Sequence, residues 1–435
     1  MTAGTGWRNW ARNQQCAPEV VEHPSSDPEL SSLVKTAGSA GHPVKVVGAG
    51  HSFTDIACTS GYQVHLDRYN RLLSADSESG RVTVQSGITL GALNRILDDR
   101  GLALPNLGDI AYQSVAGAIS TATHGTGVKL GGLATQVAAL DLITADGTIA
   151  SFSDAEEPEL FAAARVGLGA LGIIGSVTLQ AVPAFNLHVV EQPMRVDDLL
   201  EHIDEHVEGN DHFEFFYVPH TGWALTKRNN RTDRPLAPRS RWQEVKDDVL
   251  LQNVGFGAVC RVGRVFPALI PRLAKALPSS GRVEYVDKSW RVFASPRFVH
   301  FYEMEYAIPR AAAVDTLQRV RSWIDSSGLR ISFPIEVRFT AADDIWLSTA
   351  SGRETCYIAV HVYWGMPYEQ YFRGVESIMD SVGGRPHWGK MHYQNAVSLA
   401  PKYPHWAHFQ KVRRRLDPEG RFANAYTDRV LGPPL

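Results

Sequence analysis

Over the first 180 residues, short runs of hydrophobic residues alternate with glycine and polar turns. Period-two alternation predicts three strands here, at residues 42–48, 62–68 and 80–87. Helical spacing of apolar residues predicts helices at 27–41 and 89–104, the first beginning at an Asp-Pro pair. An Asp-Gly dipeptide inside 137–153 predicts two strands joined by a tight turn. This region therefore combines small strands and helices with many turns.

From about Pro183 the polar side chains occupy every second position over longer stretches. Such stretches, typical of half-buried antiparallel strands, lie at 210–229, 301–310, 330–340 and 355–364. Residues 310–328 have helical spacing. We predict an α+β region built on one broad antiparallel sheet. Residues 231–243 and the tail 417–432 are rich in polar residues, and we predict them to be loops.

Composition narrows the class of protein. The chain has 435 residues, of which 44% are hydrophobic and 20% charged, with a net charge of -3. This length predicts two domains, and the charge argues against nucleic-acid binding. The basic run 411–415 is predicted to lie on the solvated face of a helix.

The cysteines and apolar runs bear on location. Four cysteines lie far apart without a C-x-x-C pair, which argues against a disulfide framework and suits a reducing compartment. No apolar run is long enough for a transmembrane segment, and the first 15 residues lack the apolar core of a secretory signal. We expect a cytoplasmic protein.

Three glycine-rich segments predict a cofactor site. Gly48, Ala49 and Gly50 follow the strand at 42–48, as in a dinucleotide-binding loop. However, Phe53 stands where a third glycine is required, and a strand rather than a helix follows. Residues 113–127 and 165–180 are also rich in glycine and small residues. Backbone N–H groups in such turns can surround an anion, so we predict a large phosphate-bearing cofactor.

A charged pair lies inside an apolar stretch. Glu336 and Arg338 in "ISFPIEVRF" are two residues apart, so on a strand both point to the same face. A surface ion pair is the ordinary interpretation, but apolar neighbours make a charged pair costly unless it has a function. Lys390 in "HWGKMHY" supplies a further cation. No carboxylate or cysteine stands at metal-ligand spacing from His387, His392 and Tyr393 in this segment, so we predict no metal site.

Five motifs carry a resemblance to a known family. In order, they are "VVGAGHSFTDIA", "SVAGAISTATHGTG", "GALGIIGSVTLQ", "FPIEVRF" and "PHWGKMHY". The chain resembles, over nearly its whole length, the sugar-1,4-lactone oxidases and dehydrogenases, which are vanillyl-alcohol-oxidase-type flavoproteins. The bacterial L-gulono-1,4-lactone dehydrogenases and the alditol oxidases are the similar groups within them.

The resemblance implies the fold and the domains. It implies an α+β, two-domain FAD-binding fold of the PCMH type, with an antiparallel-sheet cap domain inserted into it. We expect residues 1–183 to form the FAD-binding domain, 184–383 the cap domain, and 384–435 a segment that returns to the FAD domain.

The resemblance also implies roles for individual residues. His51 would be bonded covalently to the flavin ring. Glu336 and Arg338 would bind substrate hydroxyls and stabilise the reduced flavin, with Lys390 near the reacting hydroxyl. Ser114, His361 and Tyr363 match substrate-binding positions. The implied FAD-binding residues are Val47, Gly48, Ala49, Gly50, His51, Ser52, Ser114, Gly117, Ser120, Thr121, Thr123, His124, Gly125, Gly172, Ile173 and Ile174.

The implied activity is FAD-dependent oxidation of an L-gulono-, L-galactono- or D-arabinono-type 1,4-lactone at its C2 hydroxyl, with hydride transfer to flavin N5. The electron acceptor is O2, a cytochrome or a quinone. One alternative is an alditol oxidase that produces H2O2 from a polyol, but Tyr363 replaces a small hydroxylated residue of those enzymes, which favours a ring lactone. The other alternative is a non-catalytic flavin-binding accessory protein.

Overall fold

A computed structural model describes residues 2–3, 6–246, 253–276, 281–294 and 298–434. The first half contains thirteen strands within these ranges: β1 (Thr2–Ala3), β2 (Trp7–Arg8), β3 (Gln15–Cys16), β4 (Val20–Glu22), β5 (Val44–Val47), β6 (Tyr62–His65), β7 (Leu72–Asp76), β8 (Arg81–Gln85), β9 (Leu102–Ala103), β10 (Val137–Ile143), β11 (Ile149–Ser153), β12 (Ile173–Gln180) and β13 (Val182–Pro183). Its helices are α1 (Asp27–Ser39), α2 (Leu90–Asp98), α3 (Val115–Ser120) and α4 (Pro158–Ala164).

The remaining described residues form longer strands. They are β14 (Asn186–Arg195), β15 (His212–Tyr217), β16 (Trp223–Thr232), β17 (Val283–Lys288), β18 (Phe301–Pro309), β19 (Ile335–Thr340), β20 (Thr355–Tyr363) and β21 (Arg385–Pro386). The helices are α5 (Val196–Glu201), α6 (Ile203–Glu208), α7 (Arg241–Glu244), α8 (Phe256–Val265), α9 (Ile270–Ala276), α10 (Ser289–Phe293), α11 (Ala313–Ser327), α12 (Glu369–Asp380), α13 (Ala396–Leu399), α14 (Trp406–Leu416) and α15 (Ala425–Leu431).

The strands assemble into three principal sheets. The order β1-β4-β6-β5 makes a small mixed sheet, and β11-β10-β12-β8-β7 makes an antiparallel one. The third sheet has eight strands in the order β17-β14-β16-β15-β19-β20-β18-β21. Its neighbouring strands pair antiparallel, which confirms the predicted broad antiparallel sheet.

Two hydrophobic cores hold these layers together. One contains side chains of the first two sheets, together with Phe409 and Tyr426 near the C-terminus. The other lies between one face of the eight-stranded sheet and α11 and α12, where Val337 and Phe215 meet Leu317 and Phe372. Because side chains alternate along a strand, burial of this face leaves the opposite face for polar residues.

Several local predictions are wrong. The tail predicted as a loop contains α15, which begins because the Asn424 side chain accepts the backbone N–H of Thr427. In the predicted loop 231–243, β16 continues to Thr232 and α7 begins at Arg241. The helix predicted at 89–104 ends at Asp98, and β9 follows it.

The basic run lies on α14, as predicted, but one of its arginines is not solvated. Arg413 is buried and donates a hydrogen bond to the Gly432 carbonyl, with an Nη1–O distance of 2.7 Å. Within the described residues, no helix is both long and apolar enough to cross a bilayer.

Candidate active site

A cavity of about 1110 Å³ lies against the polar face of the eight-stranded sheet. Glu336 and Arg338 on β19 and His361 on β20 line it, as does Lys390 from the loop after β21. The fold therefore brings the Glu336–Arg338 pair together with His361 and Lys390, which are distant from it in sequence. Tyr363 is absent from the described cavity wall, and it packs in an adjoining cluster with Phe53 and Phe301.

Arg338 is surrounded by three carboxylates. Its Nε contacts Glu336, and the same Nε donates to Glu214 Oε2 at 2.8 Å. Its Nη2 lies 3.5 Å from Asp109 Oδ1. Burial alone would lower the pKa of Arg338, but Glu336, Glu214 and Asp109 outweigh it and raise that pKa. Arg338 is thus a permanent cation at the cavity wall.

Lys390 is held by a second pair of carboxylates. Its Nζ donates to Glu303 and to Glu305, the latter at 2.9 Å. Burial favours the neutral amine, but these two anions outweigh it and raise the pKa of Lys390 above its ordinary value. Burial raises the pKa of Glu303, but Lys390 and His361 outweigh it and lower that pKa to about 2. Lys390 therefore stays an ammonium ion at neutral pH.

Glu336 behaves differently from the other carboxylates of the site. Burial, together with the charges of Asp109 and Glu214, raises its pKa to about 7, although Arg338 and Lys390 oppose the shift. Glu336, Glu214 and Asp109 lie around Arg338, whereas Glu303 and Glu305 hold Lys390. Glu336 is consequently a group that can take up or release a proton near neutral pH.

His387 belongs to a buried cluster that spacing along the chain does not reveal. Ligand atoms of His124, Glu305 and His387 all lie within 4.8 Å of one another, so the fold brings a carboxylate to His387 from a distant part of the sequence. Glu305 Oε1 lies 2.9 Å from His124 Nε2, and Oε2 accepts from Lys390. Burial lowers the pKa of His387 to about 3. Both oxygens of Glu305 are thus engaged by His124 and Lys390, whereas His387 Nδ1 accepts from the Gly389 N–H at 3.1 Å.

The other residues of this motif point elsewhere. His392 lies 3.2 Å from the hydroxyl of Tyr426 on α15. The ring of Tyr393 packs under the guanidinium of Arg373. Of the three residues considered for a metal, His387 alone lines the larger cavity.

A smaller pocket adjoins the cavity at the glycine-rich segments. The glycine loop after β5 and the segments 113–127 and 165–180 all contribute residues to its wall. His51, Ser52, Gln113 and Thr121 line both this pocket and the larger cavity. The two spaces therefore share one wall. The predicted FAD-binding residues on the small pocket are Gly48, Ala49, Gly50, His51, Ser52, Ser114, Gly117, Ser120, Thr121, Gly172 and Ile174.

The remaining predicted FAD-binding residues lie near, but not on, this wall. Thr123 and His124 line the larger cavity instead. Val47 and Ile173 are buried in strands, and Gly125 packs against Asn106 and Leu107. Ser114, predicted to touch substrate as well as flavin, lines the smaller pocket and caps α3 by accepting the Gly117 N–H.

Two of the glycines at the small pocket leave no space for a side chain. A Cβ on Gly48 would stand 2.2 Å from Ser114 Oγ, and one on Gly172 would stand 2.6 Å from the Ile143 carbonyl oxygen. Gly50 has a φ of +68°, which favours glycine. The chain thus exposes bare backbone along a narrow pocket that leads to the cavity. Such bare backbone suits a phosphate-bearing cofactor, because N–H groups without neighbouring side chains can approach an anion closely.

His51 stands where the two spaces meet. Its ring stacks between Trp10, with centroids 5.5 Å apart, and Tyr112, 6.1 Å away. Burial lowers the pKa of His51 to about 4, so its imidazole is neutral at physiological pH. A neutral ring nitrogen held at this junction is available as a nucleophile.

Sequence reasoning missed the carboxylates that hold the cations. Glu303 and Glu305 are two apart in "FYEMEYAIPR", the same spacing that singled out Glu336 and Arg338. Glu214 stands between phenylalanines in "HFEFFY". These charged residues in apolar strands were a usable signal. Asp109 lies in a loop, and its sequence context offers none.

The fold and the two joined spaces define an FAD-dependent oxidoreductase. An FAD binding domain model matches residues 18–153. Over residues 177–430 the chain matches the model of D-arabinono-1,4-lactone oxidase, and it belongs to that family.

Relatives match along nearly the entire chain. An L-gulono-1,4-lactone dehydrogenase of Mycobacterium tuberculosis is 48% identical, with 98% of this chain and 99% of that protein covered. The L-gulonolactone oxidase of Bos taurus is 36% identical, with 98% of each covered. An alditol oxidase of a Streptomyces species is 32% identical, with 98% and 99% covered.

Solved structures support the fold. A solvent-stable cholesterol oxidase superposes with a TM-score of 0.83 at 16% identity, covering 99% of this chain and 98% of that one. A cholesterol oxidase from B. sterolicum gives 0.80 at 15% identity, covering 99% and 97%. At such identities the likeness concerns the fold, which is the α+β FAD-binding fold that the sequence predicts.

Proposed function

We propose that the protein oxidises the C2 hydroxyl of a sugar-1,4-lactone of the L-gulono, L-galactono or D-arabinono type. The observation that carries this proposal is the set of Glu336, Arg338 and Lys390 on the wall of a cavity that adjoins the glycine-lined pocket. The names of the relatives, which include an L-gulono-1,4-lactone dehydrogenase and an L-gulonolactone oxidase, support the same substrate class.

The chemistry divides between cofactor and protein. When bound, FAD supplies the acceptor of a hydride at N5. Arg338 and Lys390 are fixed cations, so they bind the oxygens of the lactone and stabilise negative charge that develops in the cavity. His361 presents a further polar group to the substrate from β20. Sheet strands hold Arg338 and His361 rigidly, which orients the substrate carbon toward the flavin.

Glu336 is the group proposed to accept the hydroxyl proton. Lys390 is unsuitable because two carboxylates keep it protonated. A base whose pKa is about 7 is matched to a reaction near neutral pH. A carboxylate with a lower pKa would be deprotonated but weakly basic.

We propose that His51 is bonded covalently to the flavin, as the family resemblance implies. The neutral ring and its stacking between Trp10 and Tyr112 support this bond. Acid precipitation of the purified protein should leave the yellow flavin in the pellet. The His51→Ala variant should release its flavin under the same treatment, because the glycine loops alone hold it non-covalently. Flavin in the supernatant of the unaltered protein would exclude the bond.

The partner that re-oxidises the flavin is proposed to be O2, a cytochrome or a quinone. Re-oxidation rates measured separately with each will identify it. We further propose a cytoplasmic location, which the four free cysteines support because thiols persist in a reducing compartment.

Anaerobic bleaching tests the proposed function directly. Holoenzyme mixed with L-gulono-1,4-lactone, L-galactono-1,4-lactone or D-arabinono-1,4-lactone should lose flavin absorbance, and much more slowly with xylitol or sorbitol. Faster bleaching by the polyols would replace the proposal with alditol oxidation. Bleaching by neither class, in protein that dithionite still reduces, would reject both.

A further inference from the structure

Four side chains of alternating charge lie in register across four neighbouring strands of the large sheet. Arg338 on β19 pairs with Glu214 on β15, Glu214 with Lys227 on β16, and Lys227 with Glu191 on β14. All four line the larger cavity. We call this row the charge ladder.

Glu214 connects the two cations of the ladder. One of its oxygens, Oε2, accepts from Arg338 Nε at 2.8 Å, and the other, Oε1, lies 3.7 Å from Lys227 Nζ. Lys227 also donates to the Val292 carbonyl at 3.2 Å. The side chains are 9% exposed for Glu214, 17% for Lys227 and 8% for Arg338. Little water screens these charges, so each acts over several ångströms.

The ladder meets the proposed base through Arg338. The guanidinium Nε is shared between Glu214 and Glu336. The negative charge of Glu214 neutralises part of the positive charge of Arg338. Less positive charge then remains to stabilise the ionised form of Glu336. Lys227 offsets part of the charge of Glu214 from the opposite side.

We propose that Glu214 and Lys227 are positioning residues that set the proton affinity of Glu336 through their charges and through Arg338. The inference rests on the proposed role of Glu336 as base. Neither residue acts on the reacting atoms in this scheme. The charge of Glu214 and the charge of Lys227 have opposite effects on Glu336, which makes the proposal testable by sign.

The other groups that face Glu336 stay constant in such a test. Asp109 raises the Glu336 pKa from the loop before α3, and Lys390 lowers it from the loop after β21. Other titratable side chains on this part of the cavity wall are His124, Glu303, His361 and His387. The test therefore changes the ladder alone.

The first measurement is the pH at which kcat/KM reaches half its maximum on the acidic side, because kcat/KM reports the proton affinity of the free enzyme. In Lys227→Met a positive charge is lost, so Glu336 binds its proton more tightly and this pH should rise by about one unit, the order expected for the loss of one weakly screened nearby charge. In Glu214→Gln a negative charge is lost, and the same pH should fall by a similar amount. Lys227→Arg keeps the charge and should restore the original profile.

Lys288→Met is the matched control, because Lys288 pairs with Asp98 and lies outside the described cavity wall. Its pH profile should coincide with that of the unaltered protein. Flavin content and melting temperature identify any variant that does not fold. If Glu214→Gln does not fold, the comparison of Lys227→Met with Lys227→Arg decides alone. Shifts in the same direction for both ladder variants, or no shift in Lys227→Met, would overturn the proposal.

An infrared titration separates this proposal from the proposed function. The carbonyl band of protonated Glu336, assigned by its loss in Glu336→Gln, reports the same proton affinity without turnover. The band should titrate higher in Lys227→Met and lower in Glu214→Gln even if no lactone bleaches the flavin. An unmoved band in both variants would reject the ladder whatever the substrate is.

Discussion

At the scale of single residues, burial and neighbouring charge give Glu336 and Lys390 opposite protonation behaviour. Both side chains are largely withdrawn from water, which by itself favours their neutral forms. Two carboxylates reverse this effect for Lys390. For Glu336 the carboxylates of Asp109 and Glu214 reinforce it, and Arg338 compensates for only part of the shift. Of these two residues, Lys390 is therefore a fixed cation and Glu336 a titratable acid.

The pH dependence of turnover follows from Glu336. A base must be deprotonated, so kcat/KM should rise with pH through about 7 and level off above it. Glu336→Gln should lower kcat by roughly 10²- to 10⁴-fold and abolish this acidic limb. Steady-state rates across the pH range, measured in parallel on the exposed-residue control Glu354→Gln, provide the comparison. A retained limb in Glu336→Gln would assign the proton to another group.

Removal of the Lys390 ammonium tests its charge. Lys390→Ala leaves Glu303 and Glu305 buried without their cation, so we expect a loss of about 3–5 kcal/mol in stability and a large fall in turnover. Lys288→Ala breaks an ion pair of a partly exposed lysine, and there we expect about 0–1 kcal/mol. Chemical denaturation of both variants measures the difference. Equal losses would mean that the Lys390 pair is no more than a surface ion pair.

At the scale of elements, the eight-stranded sheet separates packing from chemistry. Its hydrophobic face packs on α11 and α12, and its other face presents Glu303, Glu336 and Arg338 to the cavity. The glycine loop after β5 contributes a second part of the site. Its bare backbone lies close to Ser114, the residue that caps α3. The contact between this loop and α3, rather than either element alone, shapes the smaller pocket, which is the proposed cofactor pocket.

Gly48→Ala tests that contact. Its methyl group would meet Ser114 Oγ at 2.2 Å and displace the hydroxyl that caps α3. We expect a loss of about 1 kcal/mol from the cap and a fall in FAD content of the purified protein. Gly38→Ala, in α1, meets only Arg421 at an ordinary 3.6 Å, and should be neutral or stabilise by up to about 1 kcal/mol. Normal FAD content in Gly48→Ala would show that the loop has room to relax.

At the scale of the molecule, hydrogen bonds join the C-terminal segment to the N-terminal region of the chain. Asn424 Nδ2 donates to the carbonyls of Asp55, Ile56 and Cys58 at 3.0, 3.1 and 2.9 Å. Buried Lys45, which lines the cofactor pocket, donates to the Phe422 carbonyl at 3.0 Å. These contacts support the proposed return of residues 384–435 to the FAD domain, although the domain bounds themselves stay a prediction.

Asn424→Ala tests these hydrogen bonds, and Asn395→Ala at another helix cap is the matched control. Asn424 and Asn395 both cap a short helix through the side-chain oxygen, so each alanine variant should lose about 1 kcal/mol from the cap. Asn424→Ala also leaves three carbonyls without their donor, and we expect a further loss of about 1–3 kcal/mol. Melting curves of both variants, with released FAD recorded, provide the test. Equal destabilisation would show that the three carbonyl contacts contribute nothing.

Much of this architecture could be predicted from the sequence, because the deciding signals are local. Period-two alternation identified the broad sheet, and glycine spacing identified the segments around the cofactor pocket. The failures were local too: α15 depends on a cap by Asn424 within a polar stretch, and a polar stretch of that length is more often a loop. Tyr363 stands two residues after His361 on β20, so strand alternation puts both on the same face. Of the two, only His361 lines the cavity as described, and Tyr363 packs in the adjoining hydrophobic cluster.

The sequence by itself determined the strand alternation that puts Glu336 and Arg338 on one face. It also determined the glycines whose missing side chains leave backbone exposed at the smaller pocket. It could not determine protonation, because the pKa of Glu336 and that of Lys390 depend on carboxylates that come from distant strands and loops. Strand order alone decided that Glu214 stands between Arg338 and Lys227. Charges interact through space over several ångströms, and only the tertiary structure brings these residues within that distance.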